Sequence, residues 1–268
     1  MTSTHAPYLL DNAGDDAPER LAALSSLFDP GTKRHLTDRG VTTGWHCLEV
    51  GGGGGSIATW LADRVGPSGA VLATDIDPRF LEILAKPPLE VRRHDIVRDP
   101  LPEAAFDLIH ARLVLNSIVG WEDVLKKLVL ALKPGGWLLD EEFDSQSLPP
   151  DPAASPGEIL LGTHVATGRL MTDRGFDRRF GRLLFGRLRA RGLTDVGAEA
   201  RMSMVQGGSP GASLLRANHR QLRGSLVATG YLTQPEFERD LARLDDPDFM
   251  MPSSILWAAW GRRPGAPA

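Results

Sequence analysis

Between His46 and Ser56 a short apolar run, His46-Cys47-Leu48-Glu49-Val50, meets five consecutive glycines, Gly51 to Gly55, and no other stretch constrains the fold as strongly. Residues without a Cβ weaken helices and strands, but they let the backbone turn sharply and approach a ligand closely. The run before the glycines reads as a buried strand, and Ser56 to Val65 as a helix. A strand, a glycine bend and a helix in that order open a doubly wound α/β sheet.

The same alternation continues along the chain. Gly66-Pro67-Ser68-Gly69 is a turn into a second strand, Ala70 to Thr74, which ends at Asp75. Asp77-Pro78 is expected to open a helix, because proline is tolerated in a first turn. Leu89 to Arg93 is a third strand, with Asp95 just beyond it, and Phe106 to Ala111 a fourth. A helix from Trp121 to Leu132 closes at Lys133-Pro134-Gly135-Gly136, and a fifth strand starts at Trp137. Strands alternating with helices imply parallel pairing through right-handed crossovers.

Ahead of this core, residues 17–39 have helical spacing, punctuated by Pro30-Gly31. After Asp144 the run LPPDPAASPG reads as a linker, and helices then dominate. A helix over 181–191, a strand over 195–205, a loop over 207–211, helices over 212–229 and 235–244, and a last strand over 255–261 complete the reading.

The 268 residues are 42% hydrophobic and 24% charged, enough for a large core in one domain with insertions. A net charge of −4 argues against a general affinity for nucleic acid or anionic membranes. Cys47 stands alone, so an intrachain disulfide is excluded and a reducing cytoplasm is the expected setting. No secretory leader and no apolar run of about 18 residues is found. The expected partner is a small molecule, and the expected state a monomer or homodimer.

The acidic residues at the strand ends carry the functional reading. Glu49 stands two residues before the first glycine, where it can accept from an ammonium group and would repel a pyrophosphate. That weakens the rival dinucleotide reading of Gly51-x-Gly53-x-x-Ser56, which also lacks the third glycine. Asp75 stands where an acceptor of two ribose hydroxyls belongs. Asp95 can accept from an adenine amino group, with Ile76 and Ile96 flanking the ring. An amine, a ribose and an adenine without a phosphate requirement describe S-adenosyl-L-methionine.

The runs CLEVGGGGGS, AVLATDIDPRFL, VRRHDI, FDLIHARLVLNSI and LKPGGWLLDEEFD resemble the successive motifs of the class I methyltransferase family, especially its small-molecule, secondary-metabolite branch. The resemblance covers about residues 40–145. It implies a Rossmann-like, mostly parallel seven-stranded sheet of order 3-2-1-4-5-7-6, the seventh strand antiparallel. It also implies S-adenosyl-L-methionine as cofactor and S-adenosyl-L-homocysteine as product. The cofactor would be held by Glu49, Gly51, Gly52, Gly53, Gly55, Asp75, Ile76, Asp95, Ile96, His110 and Arg112, with Tyr8 and Arg20 closing over it. Family members often carry Asp where Glu49 stands. The chain would then divide into an N-terminal lid over 1–40, a cofactor core over 41–145 and a remainder over 146–268. That remainder carries lid insertions near 146–176 and 207–250.

Acceptors in such sheets lie beyond the carboxyl ends of the strands. Strand four offers His110, Ala111, Arg112 and Asn116, and strand five Glu141, Glu142 and Asp144. The insertions bring His164, Met171, Arg216, His219, Phe249, Met250 and Met251, a set that suits a small apolar acceptor or simple core packing. Methyl transfer needs in-line approach and exclusion of water, and a base only for a hydroxyl nucleophile. His110 is the candidate base, against a hydrogen-bonded strand-end residue, and Glu142 a candidate orienting group, against a solvated strand end. The run Asp140-Glu141-Glu142 splits between two faces of its strand, so no metal is expected. The arginines from Arg169 to Arg191 read as the wet face of a helix. RNA or protein methylation, and a binding protein that never spends the methyl group, stand as alternatives.

Overall fold

A computed structural model of the chain describes residue 10, residues 12–147 and residues 161–265. They fall into two compact units. The sheet unit comprises Phe28–Phe143, Phe180–Ala200 and residues 256–265, and the helical unit comprises residues 12–27, 144–147, 161–179 and 201–255.

The sheet unit carries β1 (His46–Val50), α2 (Ser56–Val65), β2 (Ala70–Asp75), β3 (Leu89–Arg93), β4 (Phe106–Arg112), α3 (Trp121–Ala131), β5 (Leu132–Asp144), α5 (Phe180–Ala190), β6 (Thr194–Arg201) and β9 (Ile255–Arg262). Its seven strands run in the order β3-β2-β1-β4-β5-β9-β6. β1, β2, β3, β4 and β5 pair in parallel, with Val50 beside Thr74 and Glu49 beside His110. The Gly135 N–H donates to the Arg263 carbonyl at 2.9 Å, and the Arg263 N–H to Gly136 at 2.8 Å. The end of β9 therefore lies at the start of β5, so β9 is antiparallel. This is the Rossmann-like sheet that the motif order implies, with β9 as the reversed strand.

Alternation along the strands sorts two apolar layers. Leu48, Val50, Ile109, Ala111 and Leu138 pack with Leu125 and Leu128 of α3 and with Phe180, Leu184 and Leu188 of α5. Cys47, Val71, Ala73, Leu108 and Leu139 pack with Ile57 and Leu61 of α2 and with Leu36. Leu36 belongs to α1 (Ala17–Asp38), which continues through Pro30 rather than breaking there. Residues 28–38 of α1 count with the sheet unit and residues 17–27 with the helical unit.

The helical unit contains α4 (Gly162–Asp173), α6 (Pro210–Ala228) and α7 (Gln234–Arg243), together with a two-stranded antiparallel sheet of β7 (Met204–Gln206) and β8 (Met250–Pro252). Two apolar clusters form its interior. Leu161, Ala212, Leu244, Phe249 and Met251 make one, and Ala166, Leu170, Leu222, Leu226, Leu232 and Phe237 the other. Ser209 caps α6 and a Thr233–Glu236 capping box starts α7. Among the described residues no helix is long and apolar enough to cross a membrane.

Three local expectations are corrected. After Asp77-Pro78 the chain makes only a single 3₁₀ turn, Glu82–Leu84, because the segment is too short to repay helix nucleation. The strand expected over 195–205 is two strands, β6 and β7, which belong to different sheets. Arg187 is not on a wet helix face: its guanidinium stacks 4.3 Å from the Trp121 ring and 3.9 Å from Phe180.

Candidate active site

β1 ends at Val50, β2 at Asp75 and β3 at Arg93, and parallel pairing sets their carboxyl ends side by side. Glu49, Asp75 and Asp95 are thus on neighbouring strand tips, with the glycine bend between β1 and α2. Gly51, Gly53 and Gly55 all have positive φ, at 66°, 52° and 79°. A Cβ on Gly51 would strike Val114, and one on Gly55 would strike Leu84. Both the conformation and the space demand glycine there. Gly52 ties the bend to β2 through its N–H and the Thr74 carbonyl at 3.0 Å.

The Asp75 carboxylate takes the Gly53 N–H on one oxygen and the Asp77 N–H on the other, each at 3.0 Å. Burial raises its pKa, and these two donors pull the other way. Asp95 accepts from the Val97 N–H at 3.0 Å and has Arg98 at 3.5 Å. Ile96 is buried, whereas Ile76 exposes 58% of its surface at the tip of β2.

Beneath the bend lies a chain of charges. His110, fully buried, is beside Glu49 in the parallel register. Its Nδ1 is 2.7 Å from Glu49 Oε2 and its Nε2 is 3.1 Å from Glu141 Oε2. A carboxylate only accepts, so both ring nitrogens must donate and the ring is an imidazolium. Burial alone pushes His110 down, but Glu49 and Glu141 outweigh it and hold its pKa at about 9. Burial likewise raises Glu141, but His110, Arg112 and the Thr32 hydroxyl more than reverse this, leaving it below the usual value. Arg112 donates to Thr32 at 2.9 Å and to Asp29 at 3.0 Å. The sequence reading missed Asp29 and Thr32. Their signal was two polar residues on the stripe of α1 that also buries Leu36.

On the opposite face of β5, Glu142 is buried rather than solvated. It accepts the Asn116 N–H at 3.2 Å and so holds the turn after β4. Burial, then the charge of Asp140, lifts its pKa well above the usual value. Asp140 is also buried, and its carboxylate meets no hydrogen-bond partner among the described residues. Burial raises it to about 7, against the pull of His110 and Arg187. Glu141 and the pair Asp140 and Glu142 are thus on opposite faces, and no cluster of three metal-ligating side chains occurs among the described residues.

The remaining candidates lie elsewhere. Arg20, His164, Met171, His219, Met250 and Met251 belong to the helical unit, and Asn116 to the sheet unit. Alternation on β8 buries Met251 in an apolar cluster and leaves Met250 60% exposed. Tyr8 lies outside the described residues.

A family model described as a methyltransferase domain matches residues 48–138, from β1 into β5. Methyltransferase str2 of Strobilurus tenacellus is 42% identical over 101 residues, covering 36% of this chain and 35% of that protein. The ubiquinone/menaquinone biosynthesis C-methyltransferase UbiE of Pseudomonas savastanoi pv. phaseolicola is 32% identical over 112 residues, covering 39% and 44%. The matches therefore span less than half the length of these relatives. Phosphoethanolamine N-methyltransferase 2 of Haemonchus contortus, solved with S-adenosyl-L-methionine, shares the fold at a TM-score of 0.60. Its identity is 12%, covering 97% of this chain and 61% of that one. The stretch from Leu48 to Leu138 is thus similar to a methyltransferase domain, and it is carried on a Rossmann-like sheet.

Proposed function

We propose that the protein is an S-adenosyl-L-methionine-dependent methyltransferase that methylates O, N or C of a small molecule, in a cytoplasmic setting. The observation that carries the proposal is Glu49, held by His110 at the tip of β1 beside a bend that only glycine can make. The name of UbiE, a ubiquinone/menaquinone biosynthesis C-methyltransferase, supports a small acceptor, and the net charge of −4 weighs against RNA.

S-adenosyl-L-methionine, when bound, supplies an electrophilic methyl group on a sulfonium. Glu49 has a second oxygen free of His110 and can accept from the amino group. Asp75 keeps lone pairs for ribose hydroxyls beyond those used by Gly53 and Asp77. Asp95 can accept from the adenine amino group between Ile76 and Ile96. These groups fit the cofactor in kind, since they offer acceptors for an amine and a diol and an exposed apolar flank for a ring.

In this reading His110 is a positioning residue and not a base. With both N–H groups donated it has no lone pair for a proton. Its charge offsets Glu49 and fixes the carboxylate, a preorganisation that needs no movement on binding. Glu142, spent on the Asn116 turn, likewise holds backbone and touches no acceptor.

Isothermal titration of the purified chain with S-adenosyl-L-homocysteine should show stoichiometric binding, and none up to millimolar ligand would overturn the proposal. Incubation with a methyl-labelled cofactor and a panel of hydroxylated and amino compounds separates transfer from mere binding. Label that never leaves the cofactor favours the binding protein.

A further inference from the structure

We infer that Lys127 is a positioning residue that sets the adenine preference of the cofactor site by clamping the turn that carries Asp95. Its role rests on the proposed function, in which Asp95 accepts from the adenine amino group, and adds a specificity device to that site.

Lys127 breaks the pattern of an amphipathic helix. On α3, Val124 three residues before it and Ala131 four residues after it are both buried, so a lysine stands on the stripe that faces the interior. Its neighbour Lys126 is exposed. A long cationic side chain on a buried stripe normally carries its ammonium out to water. Here the ammonium stays with the protein. Nζ donates to the Ile96 carbonyl at 2.7 Å, to Asp99 at 2.7 Å and to Val97 at 3.2 Å. An ammonium has three donors, and three carbonyls of one loop receive them.

Those carbonyls belong to the turn that follows β3. The Asp95 carbonyl accepts the N–H of Arg98 at 3.0 Å and of Asp99 at 2.8 Å, which winds residues 95–99 into a single turn. Asp99 Oδ2 accepts the Asp95 N–H at 2.8 Å, and Asp95 Oδ1 accepts the Val97 N–H at 3.0 Å. Donors at the head of the turn are thereby met by side chains, as in a helix cap. The acceptors at its tail have no next turn to bond, and Lys127 collects them. A cation at that end also suits the dipole of the turn. One turn alone is too short to hold itself. Ile96, buried in one cluster with Leu125 and Leu128 of α3, fixes one side of it, and Lys127 fixes the other.

The effect reaches the ligand through Asp95. With Oδ1 held by Val97, Oδ2 is left to accept an adenine amino group, and Arg98 Nε stands 3.5 Å from it. A carboxylate fixed in place discriminates. It accepts from the 6-amino group of adenine and opposes the 6-oxo group of hypoxanthine, which only accepts. On a loose turn the carboxylate can shift toward the N1–H of hypoxanthine, and the preference is lost. Lys127 itself touches no ligand atom and acts through the turn alone.

The test is calorimetric titration of the full chain with S-adenosyl-L-homocysteine and S-inosyl-L-homocysteine, which differ in the 6-substituent and the N1 proton. The parent should prefer the adenine ligand about tenfold or more, and Lys127→Gln should bring the ratio below about threefold. Lys127→Cys alkylated with 2-bromoethylamine regains an ammonium on a chain of the same length and should restore the ratio. Cys47 stays out of that reaction, because it is 1% exposed and burial pushes its thiol up to about 12. If Lys127→Gln weakens both ligands equally, or aminoethylation does not restore the ratio, Lys127 is a structural cap only and the inference is overturned. A second measurement needs no variant. Coupling is reciprocal, so the adenine ligand should tighten the Lys127 contacts in return. At equal saturation, acetic anhydride should label Lys127 more slowly with S-adenosyl-L-homocysteine bound than with S-inosyl-L-homocysteine, against exposed Lys126 as reference. Equal protection overturns the inference as well. A parent that binds both ligands alike also overturns it and leaves the proposed function standing, whereas a parent that binds neither refutes both.

Discussion

The tip of the sheet unit and the interior of the helical unit both bury polar side chains, and they treat them in opposite ways. At the sheet tip, Glu49, His110, Glu141, Thr32, Arg112 and Asp29 form an unbroken chain in which each group has a partner within 3.1 Å. In the helical unit the Thr163 and Thr167 hydroxyls, Asn218 Oδ1 and His219 Nδ1 meet no partner among the described residues. A satisfied network in a low-dielectric interior fixes its members rigidly, while an unsatisfied one destabilises the fold. The first is the signature of a preorganised holder.

The sharpest way to break this comparison is at Glu49. Glu49→Gln keeps the shape and removes the charge, and S-adenosyl-L-homocysteine should then bind about 100-fold more weakly by titration, the scale of a buried charge-assisted contact. A change under threefold would show that the carboxylate serves only His110.

Next in size is the pH dependence of the network. The folded pKa of His110, about 9, lies above its ordinary 6.5. Its stabilisation is therefore complete below about pH 6.5 and lost as pH rises toward 9. By linkage this is on the order of 3 kcal/mol. Urea unfolding between pH 6 and 9.5 should show that decline, and His110→Gln should flatten it. A parent profile already flat would mean that the ring is neutral.

One substitution of the same shape should act differently in the two regions. Thr32→Val removes a hydroxyl that donates to Glu141 and accepts from Arg112, and should cost about 1–3 kcal/mol in denaturant unfolding. Thr163→Val should cost nothing. Equal losses would erase the distinction drawn here.

The smallest effect is expected on the far face of β5. Asp140, like His35, Arg39, His94 and Trp257 of the sheet unit, buries polar atoms that meet no hydrogen-bond partner among the described residues, and burial raises it to about 7. A carboxyl raised on folding stabilises below its unfolded value near 4 and loses that contribution as pH rises to about 7. Asp140→Asn should therefore melt higher than the parent at pH 8 and no higher at pH 4. A lower melting temperature at pH 8 would reveal a partner for the ionised form.

Much of the sheet was legible in the chain because its signals are local. The apolar runs, the glycine bend, and Asp75 and Asp95 at strand ends follow from residues within a few positions of one another. The split of Asp140, Glu141 and Glu142 between two faces followed from strand alternation alone. The 3₁₀ turn after Pro78, the division of 195–205 into β6 and β7, and the stacking of Arg187 on Trp121 were not legible. The last two depend on neighbours distant in sequence.

Local periodicity and backbone freedom, both written in the amino-acid order, determined the strand and helix succession, the parallel sheet and the demand for glycine at Gly51 and Gly55. Only the tertiary structure decided that His110 is a clamped cation, that Thr32 and Asp29 of α1 complete its network, and that Thr163 and His219 share an unsatisfied interior. The reason is physical. A side chain's charge state and hydrogen bonding depend on what burial excludes and on which groups packing brings within about 3 Å. Neither is set before the helices and strands have met.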